Sequence, residues 1–417
     1  APHQLSIMVN NNGNGTHGFR FYGSNAENGQ EFKSDATIDG DEIQQHIELI
    51  RKGLRVVAWG NDAEWTQASL YRYSGPPDMT RLQADLVRLA QRGYRVYDDM
   101  INELAGGVNE VESLKTLMKK PGYVQIALKE SPRFVLPSAL VYDYDLDPDL
   151  NAPDYSLCPG FIAALAAPGA LDTSDCFMGN CPTSSGHLDV VCPSGFWGFR
   201  HNIGMPVSVA QGPDAPTEIA YQQPFEITAA VSQDPAFTAL DGHLDRLVAM
   251  GAEVAVAKTR AETFDKFRNT APDLVYFYCH GGFDAQKNVP FLLVGALTER
   301  PITRASLRSY SIKWTNPHPI VFINGCHTTS LEPDLAFDFV SAFIENAAAV
   351  GVIGTEISIF EPLATAFAED WLRRILLGDT VGVAIRGTRL KLLKDGNPLG
   401  LVYIPYVLAS LSVIKKQ

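Results

Sequence analysis

The chain has 417 residues and a formal net charge of -13, with 46% hydrophobic residues. That length accommodates two or three domains and a sizeable core. The acidic balance argues against an extended nucleic-acid surface, which needs concentrated Lys and Arg, and no window reaches the ~18 unbroken apolar residues of a membrane span. Ala1-Pro2-His3-Gln4 shows no basic segment leading into an apolar one, so a signal peptide is not read and a cytoplasmic protein is expected.

In chain order, residues 1–75 read as a small β-rich region. Leu5 to Val9 and Phe19 to Tyr22 are apolar strands, Asn10 to Gly15 supplies a turn, and Leu54 to Trp59 reads as a further strand. His17 and His46 are expected at the surface. Residues 76–215 read as an α/β lobe. Leu82, Leu86, Leu89 and Ala90 recur at helical spacing until Gly93, taken as a stop, and a second helix runs from Val108 to Lys120. Strands follow at Val124 to Leu128 and Leu140 to Tyr142.

Within this lobe, residues at about 150–200 form a cysteine-rich insert. Asp143, Asp145, Asp147 and Asp149 precede it as a solvated acidic loop that lacks the Gly and Glu of a calcium loop. Four of the six cysteines, Cys158, Cys176, Cys181 and Cys192, fall in the insert. Four thiolates satisfy tetrahedral zinc, so a structural zinc site is one reading. None of the gaps is the common two-residue knuckle, so reduced, partly buried thiols are the other. His187 and His201 are substitute ligands of lower rank.

From 216 to 417 the pattern becomes a β-α alternation. Strands at Phe225 to Val231, Glu253 to Ala257, Asp273 to Tyr278, Pro319 to Ile323 and Val350 to Gly354 are separated by amphipathic helices, and two more helices run from Pro362 to Leu377 and from Val381 to Leu393. This predicts a mostly parallel sheet with helices on both faces. Two of the strands end on reactive side chains: one delivers His280 followed by Gly281 and Gly282, the other delivers Cys326 after Asn324-Gly325. If these strands are neighbours, both groups emerge at the C-terminal edge, where open α/β sheets hold ligands. A thiol and an imidazole there make a nucleophile with its base, and the backbone N–H groups of Gly281, Gly282 and Cys326 are candidates for an oxyanion hole. Cys279, beside His280, falls on the other face of its strand and is assigned to the core.

These motifs resemble the caspase-like cysteine peptidases, most closely their CHAT branch, which is related to separase. The resemblance is carried by Tyr278-Cys279-His280-Gly281-Gly282, Val321 to Ser330, Ala349 to Thr355 and Leu376 to Ala384, and it is specific over about 225–405. His280 precedes Cys326 by 46 residues, close to the interval of about 50 in caspases. Leu136 to Asp143 is similar to a further stretch of the family but lacks its Trp and Glu. The resemblance implies a caspase-hemoglobinase-like fold and an endopeptidase acting on protein substrates with His280 and Cys326 as the catalytic pair. It also implies regulation by an activating partner or sensor, with prokaryotic defence among the settings. Separases place an acidic residue for a basic P1 side chain near the position of Glu356 and Glu361, and Asp284 is a third candidate for the pocket wall. Glu361, just before Pro362, equally suits the positive end of the following helix. Two other readings stand beside the peptidase: a catalytically silent interaction or signalling module, and a zinc hydrolase, which a closed four-Cys site disfavours. Neither nucleic acid nor membrane is an expected partner.

Overall fold

The computed structural model describes residues 3–24, 31–128, 135–207, 216–284, 286–287, 289–325, 337 and 339–416. The chain is mixed α/β and divides into two compact units. The first takes in Ala1–Ala63, Arg72–Met205 and Ile385–Val402, and the second takes in Glu64–Tyr71, Pro206–Ala384 and Tyr403–Gln417.

In the first unit, β1 (Leu5–Asn11), β2 (Thr16–Ser24) and β3 (Glu31–Asp39) form an antiparallel meander. β3 alternates strictly between buried and exposed positions, the pattern of a strand with one face on the core. β4 (Tyr123–Leu128) joins the other side of β1 in parallel. The small pair β5 (Ser156–Leu157) and β6 (Val190–Val191) lies apart from this sheet, and β7 (Asn202–Gly204) completes it beside β4.

Four expectations for this region are corrected, the last at His17. Leu54 to Trp59 is the end of a helix, Gly40–Trp59, not a strand. Its β-branched cluster imitates a strand, but Ile43, Ile47, Ile50, Leu54 and Val57 are buried at helical spacing, and tertiary burial overrides local propensity. Gly93 does not stop a helix: Met79–Asn102 continues through it. A Cβ there would lie 2.0 Å from the Leu140 carbonyl oxygen, so the glycine permits a close backbone approach. Leu140 to Tyr142 is no regular strand; Leu140 ends a single helical turn, Ser138–Leu140, and Tyr142 makes one bridge to Phe196. His17 is buried, and His46 pairs with Asp99.

The second unit is built on a six-stranded sheet. Its strands are β9 (Phe225–Val231), β10 (Ala252–Ala257), β11 (Leu274–Tyr278), β14 (Ile320–Ile323), β15 (Gly351–Thr355) and β16 (Tyr403–Tyr406), in the order β10-β9-β11-β14-β15-β16. All pairings are parallel except the last. β8 (Glu218–Tyr221) pairs with β17 (Ser412–Lys415), and β12 (His280–Asp284) forms a hairpin with β13 (Val289–Leu293).

All five residues of β11 are buried, as a central parallel strand covered on both faces requires. On one face, Phe322 of β14 packs against Tyr276, Phe367 and Trp371. Phe277, which alternation turns to the other face, packs against Phe267 and Phe343. Helices Glu361–Leu376 and Arg260–Asn269 therefore cover opposite faces. Truncating one such ring costs about 3–5 kcal/mol, a large share of the ~5–15 kcal/mol that keeps a domain folded. The strand order reverses between β9 and β11, which makes their C-terminal ends the switch point at which sheets of this kind open a crevice.

Candidate active site

β11 is locked to its neighbours in register. Phe277 faces Ile323 of β14, and Tyr278 faces Val231 of β9. Beyond these pairs the chains stay hydrogen-bonded: Asn324 N–H donates to the Phe277 carbonyl at 2.9 Å, and Ser232 N–H donates to the Tyr278 carbonyl at 2.9 Å. The segments leaving β9, β11 and β14 thus emerge side by side at the C-terminal edge.

His280 lies two residues past the end of β11. Its Nε2 is 2.9 Å from Asp234 Oδ2, and the two side chains are 16% and 17% exposed, sheltered yet reachable from solvent. Asp234 follows β9, so the pair bridges the switch point. Its other oxygen, Oδ1, accepts the Ala236 N–H at 2.9 Å, and its own N–H donates to Ser232 Oγ at 3.1 Å. The Phe237 ring meets the imidazole edge-on, with centroids 4.8 Å apart. Gly281 and Gly282 are buried at the start of the hairpin, and a Cβ on Gly282 would lie 2.7 Å from the ring of Phe291.

Cys326, with His327 and the rest of 326–336, lies outside the described residues. The approach to it is described as far as Gly325. Asn324 is fully buried and every polar atom of its amide is engaged: Nδ2 donates to Tyr276 Oη at 2.8 Å and to the Ala364 carbonyl at 2.9 Å, while Oδ1 accepts from Tyr403 Oη at 2.9 Å. Tyr276 Oη in turn lies 2.8 Å from His243 Nε2, whose Nδ1 lies 2.7 Å from Glu369 Oε1. The proton order is consistent from end to end. Asn324 donates to the tyrosine, the tyrosine donates to His243 Nε2, and His243 Nδ1–H donates to the carboxylate. This buried chain fixes the backbone two residues before Cys326.

Cys279 is fully buried, and burial pushes its thiol well above the ordinary range, the behaviour of an inert core thiol.

The three acidic residues assigned to a pocket wall are placed differently. Glu361 faces inward: Oε2 accepts the Thr238 N–H at 2.9 Å, and Oε1 accepts the Ala239 N–H at 3.2 Å and the Tyr278 hydroxyl at 2.7 Å. It ties the end of β11 to the start of two helices, so its carboxylate is committed to the scaffold, where the helix N-terminus favours negative charge. Asp284 caps a turn. It accepts the N–H groups of Gln286 and Lys287 and pairs with Lys287 Nζ at 2.8 Å; this hydrogen bond to Lys287 holds its carboxyl below the usual range. Glu356 directly follows β15 and is buried at the same sheet edge as His280.

In the first unit, the four insert cysteines converge. Leu157 pairs with Val191, so Cys158 and Cys192, each one residue further on, arrive together. Cys176 opens the short turn Cys176–Asn180, and Cys181 directly follows it. The four sulfurs all lie within 4.8 Å of one another, and Cys158 Sγ is 3.9 Å from both Cys176 Sγ and Cys181 Sγ. Those separations exclude disulfides and approach the ~3.8 Å edge of a tetrahedron with Zn–S bonds of ~2.3 Å. Hydrogen bonding, first from Cys176 and then from Cys181, lowers the Cys158 thiol. Thr183 Oγ1 lies 3.3 Å from Cys181 Sγ, and Ser194 Oγ lies 3.1 Å from Cys192 Sγ. Gly160 leaves room, since a Cβ there would come 3.1 Å from Cys176 Sγ. Such a buried set could hold a metal ion. His187 and His201 are not members of it.

Asp234 and Asn324 are the residues that sequence reasoning passed over. Asp234 carries one signal, an acid three residues beyond the first strand of a parallel sheet; Asn324 carries none beyond its Asn-Gly turn.

No protein-family model matches the sequence. The chain is 43% identical, over 424 aligned residues, to a protein from Vitiosangium sp. described as a probable protease. The match takes in 98% of this chain and 54% of that protein, so the chain spans about half the length of the curated relative. Among the described residues no helix is long and apolar enough to cross a membrane.

Glu361→Gln is expected to lower the unfolding free energy by about 1–3 kcal/mol, because an amide nitrogen then confronts N–H donors that had a charged acceptor. Urea denaturation checks this; unchanged stability contradicts the scaffold role.

Proposed function

We propose that the chain is a cysteine endopeptidase of the caspase-like, CHAT type. Cys326 Sγ attacks the carbonyl carbon of a scissile peptide bond, and the thiol proton passes to His280. His280 returns that proton to the leaving amine as the C–N bond breaks. Water, deprotonated by His280, then hydrolyses the thioester and restores the thiol. The N–H groups of Gly281, Gly282 and Cys326 are assigned to the developing oxyanion.

One observation carries this reading: the in-register parallel pairing of β11 with β14, continued by the Asn324 N–H bond to Phe277. Cys326 is two residues past Asn324 and His280 is three past Phe277. Adjacent strands lie ~4.8 Å apart, so the segments that lead to Cys326 and to His280 leave the sheet from neighbouring positions on the same edge. The description of the Vitiosangium protein as a probable protease supports the same reaction class. Glu356, buried directly after β15 at the sheet edge that also carries His280, is the acid assigned to a basic P1 side chain. Control by an activating partner or sensor belongs to this proposal through the family resemblance.

Profiling of new protein N-termini in cells expressing wild type or Cys326→Ala tests the activity and reads P1 at once. Wild type is expected to generate termini that follow Arg or Lys and that vanish in Cys326→Ala and His280→Ala. Identical profiles, with a candidate activator supplied, favour the silent interaction module instead.

We further assign the cysteine cluster to a structural zinc ion held by Cys158, Cys176, Cys181 and Cys192. Four thiolates close the coordination sphere, so the ion would brace the insert and leave no position for substrate. Protein purified from zinc-supplemented medium is expected to carry one zinc per chain by elemental analysis, to lose it in Cys192→Ala, and to melt at lower temperature after chelation. Metal-free protein with unaltered melting contradicts the assignment.

A further inference from the structure

We infer that Asp234 is a positioning residue for His280, making the proposed dyad a Cys326–His280–Asp234 triad. The inference rests on the peptidase reading of His280 and adds to it the group that sets which ring nitrogen does the chemistry.

A carboxylate only accepts hydrogen bonds, so the 2.9 Å contact requires the proton on Nε2 and places the basic lone pair on Nδ1. An imidazole not held in this way divides its population between two tautomers and many ring orientations. Asp234 is itself held. The Ala236 N–H occupies Oδ1, Ser232 Oγ takes the Asp234 N–H, and Ser232 is tied to the end of β11 through the Tyr278 carbonyl. Phe237, three residues on, abuts the ring edge-on. Carboxylate, imidazole and aromatic wall thus come from the two strands that flank the switch point. The geometry does a second thing when Nδ1 accepts the thiol proton: the imidazolium then sits against a fixed negative charge that costs no reorganisation. In sequence the pair is split by 46 residues, with no motif at the acid.

The test reads Cys326 chemistry directly, with iodoacetamide as the probe and peptide mass spectrometry locating the adduct; the thioether forms as iodide leaves. Wild type, His280→Ala, Asp234→Asn and Asp234→Glu are compared at pH 7 with melting temperatures recorded. Asn keeps an acceptor for the Ala236 N–H, and Asp234→Ser serves the same purpose if Asn fails to fold. The inference predicts that Asp234→Asn slows alkylation roughly 10-fold to 100-fold, approaching His280→Ala, with little change in melting, and that Asp234→Glu recovers most of the rate. Equal recovery by Asn and Glu would mean that only packing is involved and overturns it. Slow labelling in His280→Ala beside wild-type labelling in Asp234→Asn overturns the triad and leaves the dyad standing. Wild-type labelling in His280→Ala removes the cysteine–histidine reading itself, and the triad with it.

Discussion

Main-chain pairing at the C-terminal end of β11 is the constraint on which the second unit depends. Three parallel strands run in register, and the ladder continues one residue past β9 and β14 through Ser232 and Asn324. Because the pairing is parallel, every departing segment leaves on one side, and the reversal of strand order spreads two of them apart. A slip of one residue would turn Tyr276 and Phe322 to the wrong face and exchange His280 for Cys279, a thiol sealed in the core. The aromatic packing on both faces is what makes that slip costly.

Polar groups refine what the sheet makes coarse. The chain runs from part-exposed Glu369 through buried His243 and Tyr276 to Asn324, so loss of an inner member would strand buried polar groups. Glu361 performs a similar task at the foot of β11 by binding Tyr278 and the start of the helix Leu240–Ala249. Both devices stiffen the backbone just before a candidate catalytic residue. Asp234 extends the same logic to the imidazole. In each case a charged or amide group is anchored by backbone or hydroxyl partners, so little conformational freedom remains at the sheet edge.

The sheet itself was legible because buried parallel strands are continuous apolar runs, and Leu274 to Tyr278 and Ile320 to Ile323 are such runs. Their small-residue endings pointed to His280. What stayed hidden depends on contacts distant in sequence. Glu361 resembled a pocket acid because its partners, Thr238 and Tyr278, lie 123 and 83 residues away. Gly93 resembled a stop because the Leu140 carbonyl that demands a glycine arrives from another segment. The helix ending at Trp59 resembled a strand because six residues are too few to show the helical repeat, which emerges only with Ile43, Ile47 and Ile50. The cysteine cluster was half visible: the four residues were evident, but not the β5–β6 pairing that delivers Cys158 and Cys192 to one point.

We propose that the strand register delivers the thiol of Cys326 to the imidazole of His280. A short bis-electrophile, 1,3-dibromoacetone, tests it most directly, since it can join a sulfur and a ring nitrogen only when they lie a few ångströms apart, losing two bromides as it does so. The account predicts one cross-linked peptide pair containing Cys326 and His280 after digestion of the folded protein, absent when the reagent is applied after unfolding. Cys326 alkylated at one end alone, or joined to another residue while His280 stays unmodified, would contradict it.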